Sequence, residues 1–91
     1  MNINAGSVET MVIDVVDTLN NLLALPGSTT YDIFDTDGAQ IVVNQVATVE
    51  NMRAMCLIDA TSLVKKDYEL FLKFSTPPET PKLGPFRFRV V

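Results

Sequence analysis

The sequence predicts an all-β fold, in which one small antiparallel β-sandwich spans residues 1–91. Segments rich in β-branched and aromatic residues recur from residue 29 onward and are separated by turn signals. The carboxyl-terminal stretch FRFRVV alternates apolar and basic residues, which is typical of a strand with one buried face. A chain of 91 residues has room for one hydrophobic core, so a single domain is expected.

The central part of the chain predicts a hairpin followed by a buried strand. TTYDIF (29–34) and AQIVV (39–43) flank DTDG (35–38), whose aspartates and glycine suit a tight turn. VENM (49–52) is expected to form another turn. MRAMCLI (52–58) is expected to form a strand that is buried on both faces.

The last third predicts a connection, a strand, a loop and a final strand. DATSLVKKD (59–67) leads into YELFLKF (68–74), whose alternation puts Tyr68, Leu70, Leu72 and Phe74 on one face. STPPETPKLGP (75–85) carries four prolines and a glycine, so a loop is expected there. In FRFRVV (86–91) the inward residues are Phe86, Phe88 and Val90, and the outward ones are Arg87 and Arg89.

The opening segment SVETMVIDVVDTLNNLLALPG (7–27) supports two structures. Its apolar residues recur at helical spacing, which by itself favours an α+β chain with an amino-terminal helix over residues 8–24. Its run of β-branched residues between Val12 and Val16 favours a strand, with Met11, Ile13 and Val15 on one face. Periodicity alone favours the helix.

A family resemblance favours the strand. AGSVETMVIDVVD, LNNLLAL, TTYDIFDTDG, LIDATSLVKKDYELFLKF and ETPKLGPFRFRVV, in this order, resemble the small immunoglobulin-like β-sandwich modules of tailed-bacteriophage structural proteins. The positions that match the connection of those modules are Asp59, Thr61, Ser62, Leu63 and Tyr68. Asp67 departs from the pattern, because a turn glycine is usual there. The resemblance implies an immunoglobulin-like sandwich with a strand over residues 8–16.

Composition excludes several kinds of chemistry. The chain has no histidine and one cysteine, so a Cys–His pair, a Ser–His–Asp triad and a structural zinc site are excluded. Cys56 lies in an apolar run and is expected to be a buried, inert thiol. The net charge of −4, the lack of a long apolar window and the lack of a signal-like start predict no nucleic-acid or membrane partner. We therefore expect a protein that is not an enzyme and holds no cofactor.

Two groups of residues are candidates for binding. Asp32, Asp35 and Asp37 are close enough in sequence to suggest a Ca²⁺ site, with Asp35 and Asp37 as the potential ligands, although an Asx turn explains DTDG without an ion. The proline-rich loop is expected to be stiff, so it loses little entropy when it docks against a partner. The predicted partner-binding residues, chosen for stiffness or exposure, are Pro77, Pro78, Glu79, Pro81, Lys82, Leu83, Phe71, Arg87 and Arg89.

The resemblance implies a structural or assembly protein of a tailed-phage virion, made in the host cytoplasm. Its role would be capsid decoration or that of a neck or tail accessory protein, and its partners would be other virion proteins in a symmetric, multi-copy assembly. The alternative prediction is a carbohydrate- or host-surface-binding β-sandwich module. The small number of aromatic residues counts against that alternative, because sugars stack on aromatic rings.

Overall fold

The computed structural model describes residues 1–15, 19, 29–50, 53–74 and 82–91. Regular structure in these ranges is entirely β, which confirms the predicted fold class, and no helix suited to spanning a membrane is found among them. The strands are β1 (Asn2–Ile3), β2 (Val8–Asp14), β3 (Thr30–Asp35), β4 (Gln40–Val46), β5 (Thr48–Glu50), β6 (Arg53–Asp59), β7 (Asp67–Lys73) and β8 (Lys82–Val90).

The strands form two sheets with the order β1-β8-β7-β3-β4 and β2-β6-β5. Strands β2, β6 and β5 correspond to the B, E and D strands of an immunoglobulin-like sandwich, and β3, β7 and β8 to its C, F and G strands. Neighbouring strands are antiparallel except for the short β1, which runs parallel to β8. The topology is therefore that of an immunoglobulin-like sandwich.

The opening segment forms a strand where the structure describes it. β2 pairs with β6 along all of its residues, buries Met11 and Ile13, and leaves Val8 and Val12 on the outer face. The helix alternative is wrong for residues 8–14, because pairing with β6 satisfies the backbone and decides the conformation against a helical period. Residues 16–18 and 20–24, the rest of that alternative, lie outside the described residues.

Two further expectations about the smaller sheet are wrong. The turn expected over 49–52 is wrong for residues 49 and 50, which belong to strand β5 and pair with β6, while residues 51 and 52 lie outside the described residues. Strand β6 is buried on one face only: Cys56 is fully buried, whereas the side chain of Leu57 is 56% exposed. The smaller sheet packs on the core with one side, so an apolar strand sequence does not imply burial on both faces.

The core lies between the sheets and is formed by inward-facing side chains of both. The Tyr31 hydroxyl, in the larger sheet, donates a 2.5 Å hydrogen bond to the Leu57 carbonyl oxygen, in the smaller one. Tyr68 stacks on Phe88 with 5.4 Å between ring centroids. The predicted inward residues of β7 and β8 are confirmed for Tyr68, Leu70, Leu72, Phe88 and Val90, while Phe74 and Phe86 are half-buried against the core.

The connection between β6 and β7 contains the hydrogen bond that defines a tyrosine corner. The Asp59 carboxylate accepts hydrogen bonds from the Thr61 amide at 3.0 Å and from the Thr61 hydroxyl at 2.5 Å. The Tyr68 hydroxyl donates to the Val64 carbonyl oxygen at 2.9 Å, as in the tyrosine corner of immunoglobulin-like domains. Asp67, the position that departs from the family pattern, is the extended first residue of β7 and needs no glycine.

Strand β8 begins at Lys82, before the expected start at Phe86, so the end of the segment 75–85 is a strand. Between the Leu70–Phe86 and Leu72–Leu83 pairs the register shifts, and the extra residue forms a bulge. Gly84 has φ +134°, and a Cβ there would lie 2.8 Å from the Leu70 carbonyl oxygen, so the bulge requires glycine. Because β1 covers β8 only near its end, Pro85 lies on an unpaired edge, where a missing N–H is tolerated.

Candidate functional site on the outer face of the larger sheet

The outer face of the larger sheet carries a group of charged and aromatic side chains that lie close together. In β3, β7 and β8 these residues alternate with the inward Tyr, Ile, Leu, Phe and Val side chains, because successive residues of a strand point to opposite faces. We use the term outer face for Asp32, Phe34, Glu69, Phe71, Lys73, Lys82, Arg87 and Arg89.

Two phenylalanines and a lysine form an aromatic–lysine cluster on this face. Phe34 and Phe71 meet edge to face, with ring centroids 5.7 Å apart. The Lys82 ammonium lies 4.5 Å from the Phe71 centroid and 5.3 Å from the Phe34 centroid, within cation–π range. The bulge at Gly84 sets the register that puts Lys82 over Phe71. A depression of about 360 Å³ opens beside these three side chains.

Two arginines extend the same face toward the end of β8. Arg87 Nε lies 3.9 Å from Glu69 Oε1, and Arg89 Nε lies 3.9 Å from Asp67 Oδ1. Both arginines are exposed, and long, solvated ion pairs of this kind contribute little to stability. A groove of about 540 Å³ runs past them. The guanidinium groups therefore remain accessible to a binding partner.

A buried carboxylate lies beside this cluster, and we call Asp32, Asn44 and Lys73 the Asp32 cluster. Asp32 Oδ1 accepts a 2.7 Å hydrogen bond from the Asn44 amide, and Oδ2 lies 2.9 Å from Lys73 Nζ. Lys73 Nζ also donates to Asn44 Oδ1. Burial raises the pKa of Asp32, but the Asn44 hydrogen bond and the charges of Lys73 and Lys82 outweigh burial, so this pKa lies below its ordinary value.

A bulge in β4 places Asn44 in this cluster. Tyr31 pairs with Gln45 and Ile33 with Val42, so two residues of β4 oppose the single residue Asp32. Asn44 has φ +50°, a left-handed conformation that asparagine tolerates better than most residues. The bulge points the backbone amide of Asn44 toward the Asp32 carboxylate.

A second aspartate–lysine pair closes the β3–β4 hairpin. Asp35 Oδ1 accepts hydrogen bonds from the amides of Asp37 and Ala39, both at 2.9 Å, and Oδ2 lies 3.0 Å from Lys66 Nζ. The hydrogen bond from Lys66 and those from the turn lower the pKa of Asp35, and the same contact raises the pKa of Lys66. Lys66 also lies 3.6 Å from Asp37 Oδ2.

These contacts describe an Asx turn held by a lysine. The Lys66 ammonium occupies the space beside Asp35 and Asp37 that a cation would need. In the part of the chain that the structure describes, no group of three or more acidic, cysteine or histidine residues is arranged to hold a metal ion. Nothing in that part favours the Ca²⁺-dependent carbohydrate-binding alternative.

The predicted partner-binding residues fall into three groups. Phe71, Lys82, Arg87 and Arg89 lie together on the outer face. Leu83 is half-buried and packs against the core. Pro77, Pro78, Glu79 and Pro81 lie outside the described residues.

Sequence reasoning missed Phe34, and it considered Asp32 only as a Ca²⁺ ligand, without its contacts to Asn44 and Lys73. The alternation of TTYDIF contains a usable signal, since Asp32 and Phe34 fall on the face opposite Tyr31 and Ile33. Asn44 has no such signal, because a bulge in an edge strand leaves no clear mark on periodicity.

Cys56 lies apart from this face. Its side chain is fully buried between the sheets, and burial raises the pKa of its thiol to about 12. At neutral pH the group is therefore a protonated thiol, which is a poor nucleophile and a poor metal ligand.

Comparisons of this chain with protein-family models, with curated proteins and with solved structures each find no match.

Proposed function

We propose that this chain is a non-enzymatic structural or assembly protein of a tailed-phage virion, and that it acts through protein–protein contacts. It would decorate the capsid or join neck or tail components in several symmetry-related copies. The outer face of the larger sheet is the surface through which it would bind.

The observation that carries this proposal is the composition of that face. Phe34, Phe71 and Lys82 form a semi-exposed cluster, and Arg87 and Arg89 continue it along β8. Aromatic residues and arginine are enriched in the energetically important parts of protein interfaces. The cluster is also held on strands and not on loops, so docking orders few additional groups.

The assignment to a virion is supported by the sequence resemblance. Its motif residues Asp59, Thr61 and Tyr68 have corner-forming hydrogen bonds, and such a corner is a feature of immunoglobulin-like modules. A module of this kind contributes a modest contact, and repetition by symmetry multiplies its strength.

The test is co-sedimentation of the purified chain with phage particles that lack it. The wild-type chain should sediment with the particles in a fixed ratio. Lys82→Glu and Arg87→Glu should each lower its affinity by about tenfold or more, as expected for interface hot spots. Lys65→Glu is the matched control, because it makes the same charge change at an exposed residue outside the outer face.

Two results would contradict the proposal. The wild-type chain would remain in the supernatant at every particle concentration, or both outer-face variants would bind as tightly as the Lys65→Glu control. Circular dichroism of each variant should match that of the wild type, because all three positions are on the surface.

A further inference from the structure

The Asp32 cluster brings together the three groups that are needed to form an amide bond between side chains. Lys73 supplies a primary amine, Asn44 a carboxamide, and Asp32 a carboxylate that contacts the Lys73 nitrogen at 2.9 Å. The amine also contacts the carboxamide directly. Among the lysines that the structure describes, Lys73 is the one that contacts both an asparagine side chain and a buried carboxylate.

We propose that Lys73 and Asn44 react to form an intramolecular amide bond, with Asp32 as the catalytic acid and base. This inference goes beyond the proposed function and does not depend on it. The Lys73 nitrogen attacks Cγ of Asn44, a new C–N bond forms, and the bond between Cγ and the Asn44 side-chain nitrogen breaks. The products are the cross-linked chain and ammonia, and the step needs no oxidant, reductant or cofactor.

The protons are accounted for by Asp32. The attacking nitrogen must be a neutral amine, so solvent base first removes one proton from the Lys73 ammonium at mildly alkaline pH. As the amine attacks, its nitrogen becomes cationic and passes a proton to the Asp32 carboxylate. Asp32 then gives this proton to the departing nitrogen of Asn44, which leaves as ammonia.

The fold holds the reacting groups in place. The Asp32 side chain is only 4% exposed, and its second oxygen is fixed by the Asn44 backbone amide. Holding two reactants in contact replaces a bimolecular encounter, and well-oriented pairs reach effective concentrations of roughly 10⁵–10⁸ M. The Lys73 side chain is 24% exposed, so the released ammonia has a path to solvent.

The bond would link strands that are not neighbours. Lys73 ends β7 and Asn44 lies in β4, and β3 runs between them. Strand β4 is the edge of the larger sheet and pairs with β3 alone. The cross-link would therefore tie this edge strand across β3 to the centre of the sheet.

The test is the intact mass of the chain under denaturing conditions, after incubation of the folded protein at mildly alkaline pH. We expect the wild-type chain to be lighter than its sequence mass by one ammonia molecule. Lys73→Arg should have its full sequence mass, because a guanidinium stays protonated and cannot attack. Lys66→Arg, which changes the lysine of the other pair, should still lose one ammonia.

Three outcomes would overturn the inference. A wild-type chain that keeps its full mass through the incubation would show that the groups do not react. Ammonia loss that persists in Lys73→Arg would assign the loss to another asparagine. If Lys66→Arg no longer loses ammonia, the reacting amine is that of Lys66 and not that of Lys73.

Discussion

Two aspartate–lysine pairs, three residues apart along β3, have similar geometry and different surroundings. Asp32 lies 2.9 Å from Lys73 and Asp35 lies 3.0 Å from Lys66, and both carboxylates are buried and accept backbone hydrogen bonds. The difference lies in the third group. The third group at Lys66 is the carboxylate of Asp37, whereas at Lys73 it is the carboxamide of Asn44.

The comparison indicates that the group beside an aspartate–lysine pair decides whether the lysine amine has an electrophile to attack. A carboxylate beside Lys66 only adds negative charge, so this pair can do no more than hold a turn. A carboxamide beside Lys73 is an electrophile, so the same kind of ion pair becomes a set of reactants.

The largest expected effect is the loss of stability when the cross-link is prevented. Residues 44 and 73 are separated by 29 positions, and the loop-closure relation used for disulfides gives about 3–4 kcal/mol for a link of this span. Lys73→Arg keeps the positive charge and removes the bond. Its free energy of unfolding, from urea denaturation, should be lower than that of the wild type by about this amount.

Lys66→Arg is the control for that experiment. It should differ from the wild type by far less, since Arg can keep the contact with Asp35 and no covalent bond is lost. Equal losses in the two variants would remove the distinction between the pairs.

A smaller effect should distinguish the two carboxylates once the cross-link is absent. In a Lys73→Arg background, Asp32→Asn leaves a partly buried cation without its partner and should cost about 2 kcal/mol. Asp35→Asn in the same background should lower the Tm less, because the side-chain oxygen of Asn can still accept the hydrogen bonds from the Asp37 and Ala39 amides. Thermal unfolding of both double variants measures the difference, and a larger loss for Asp35→Asn would contradict the account.

The pKa of Asp32 should depend on the state of Lys73. In Lys73→Arg the cation remains and the pKa of Asp32 should stay below its ordinary value. In the cross-linked chain the lysine carries no charge, so burial weighs more heavily and this pKa should be higher than in the variant. Carboxyl chemical shifts followed through an NMR titration report both values. Identical titration curves for the wild type and Lys73→Arg would mean that Lys73 keeps its charge in the wild type, so that no cross-link has formed.

The smallest effect is the pH dependence of the Asp35 pair. The folded-state pKa of Asp35 is lowered, so its stabilisation is present above the ordinary value of about 4 and is lost as the pH falls through the folded-state pKa. The pKa of Lys66 is raised, so its contribution is present below about 10.4 and is lost as the pH rises through the folded-state pKa.

The Tm difference between the wild type and Asp35→Asn measures this dependence. It should be constant near neutral pH and shrink in strong acid. A difference that stays constant in strong acid would show that the Asp35 charge does not contribute.

The sequence predicts the parts of this structure that depend on alternation. The inward rows of β7 and β8 and the exposed Arg87 and Arg89 follow from period two alone. Phe71 and Lys82 were predicted as binding residues, but their contact was not, because it depends on the bulge at Gly84. The position of Asn44 could not be predicted either, because it depends on the bulge in β4.

Strand β5 was missed because a short edge strand can contain residues that are typical of turns. The early start of β8 was missed because Gly84 and Pro85, which are typical of loops, lie within the strand. The opening strand shows the opposite case. Its helical period is real, but pairing between β2 and β6 determines its conformation. Sequence patterns therefore predicted the layers of this sandwich, whereas its bulges, and the site residues they position, required the structure.

Tryptic peptide mapping of the denatured chain tests the difference between the two pairs most directly, since both lysines are read in one digest. Trypsin should cut after Lys66 and fail to cut after Lys73, and a single branched product should join residues 1–53 to residues 67–82. Free peptides that end at Lys73, in the same yield as those that end at Lys66, would contradict the account.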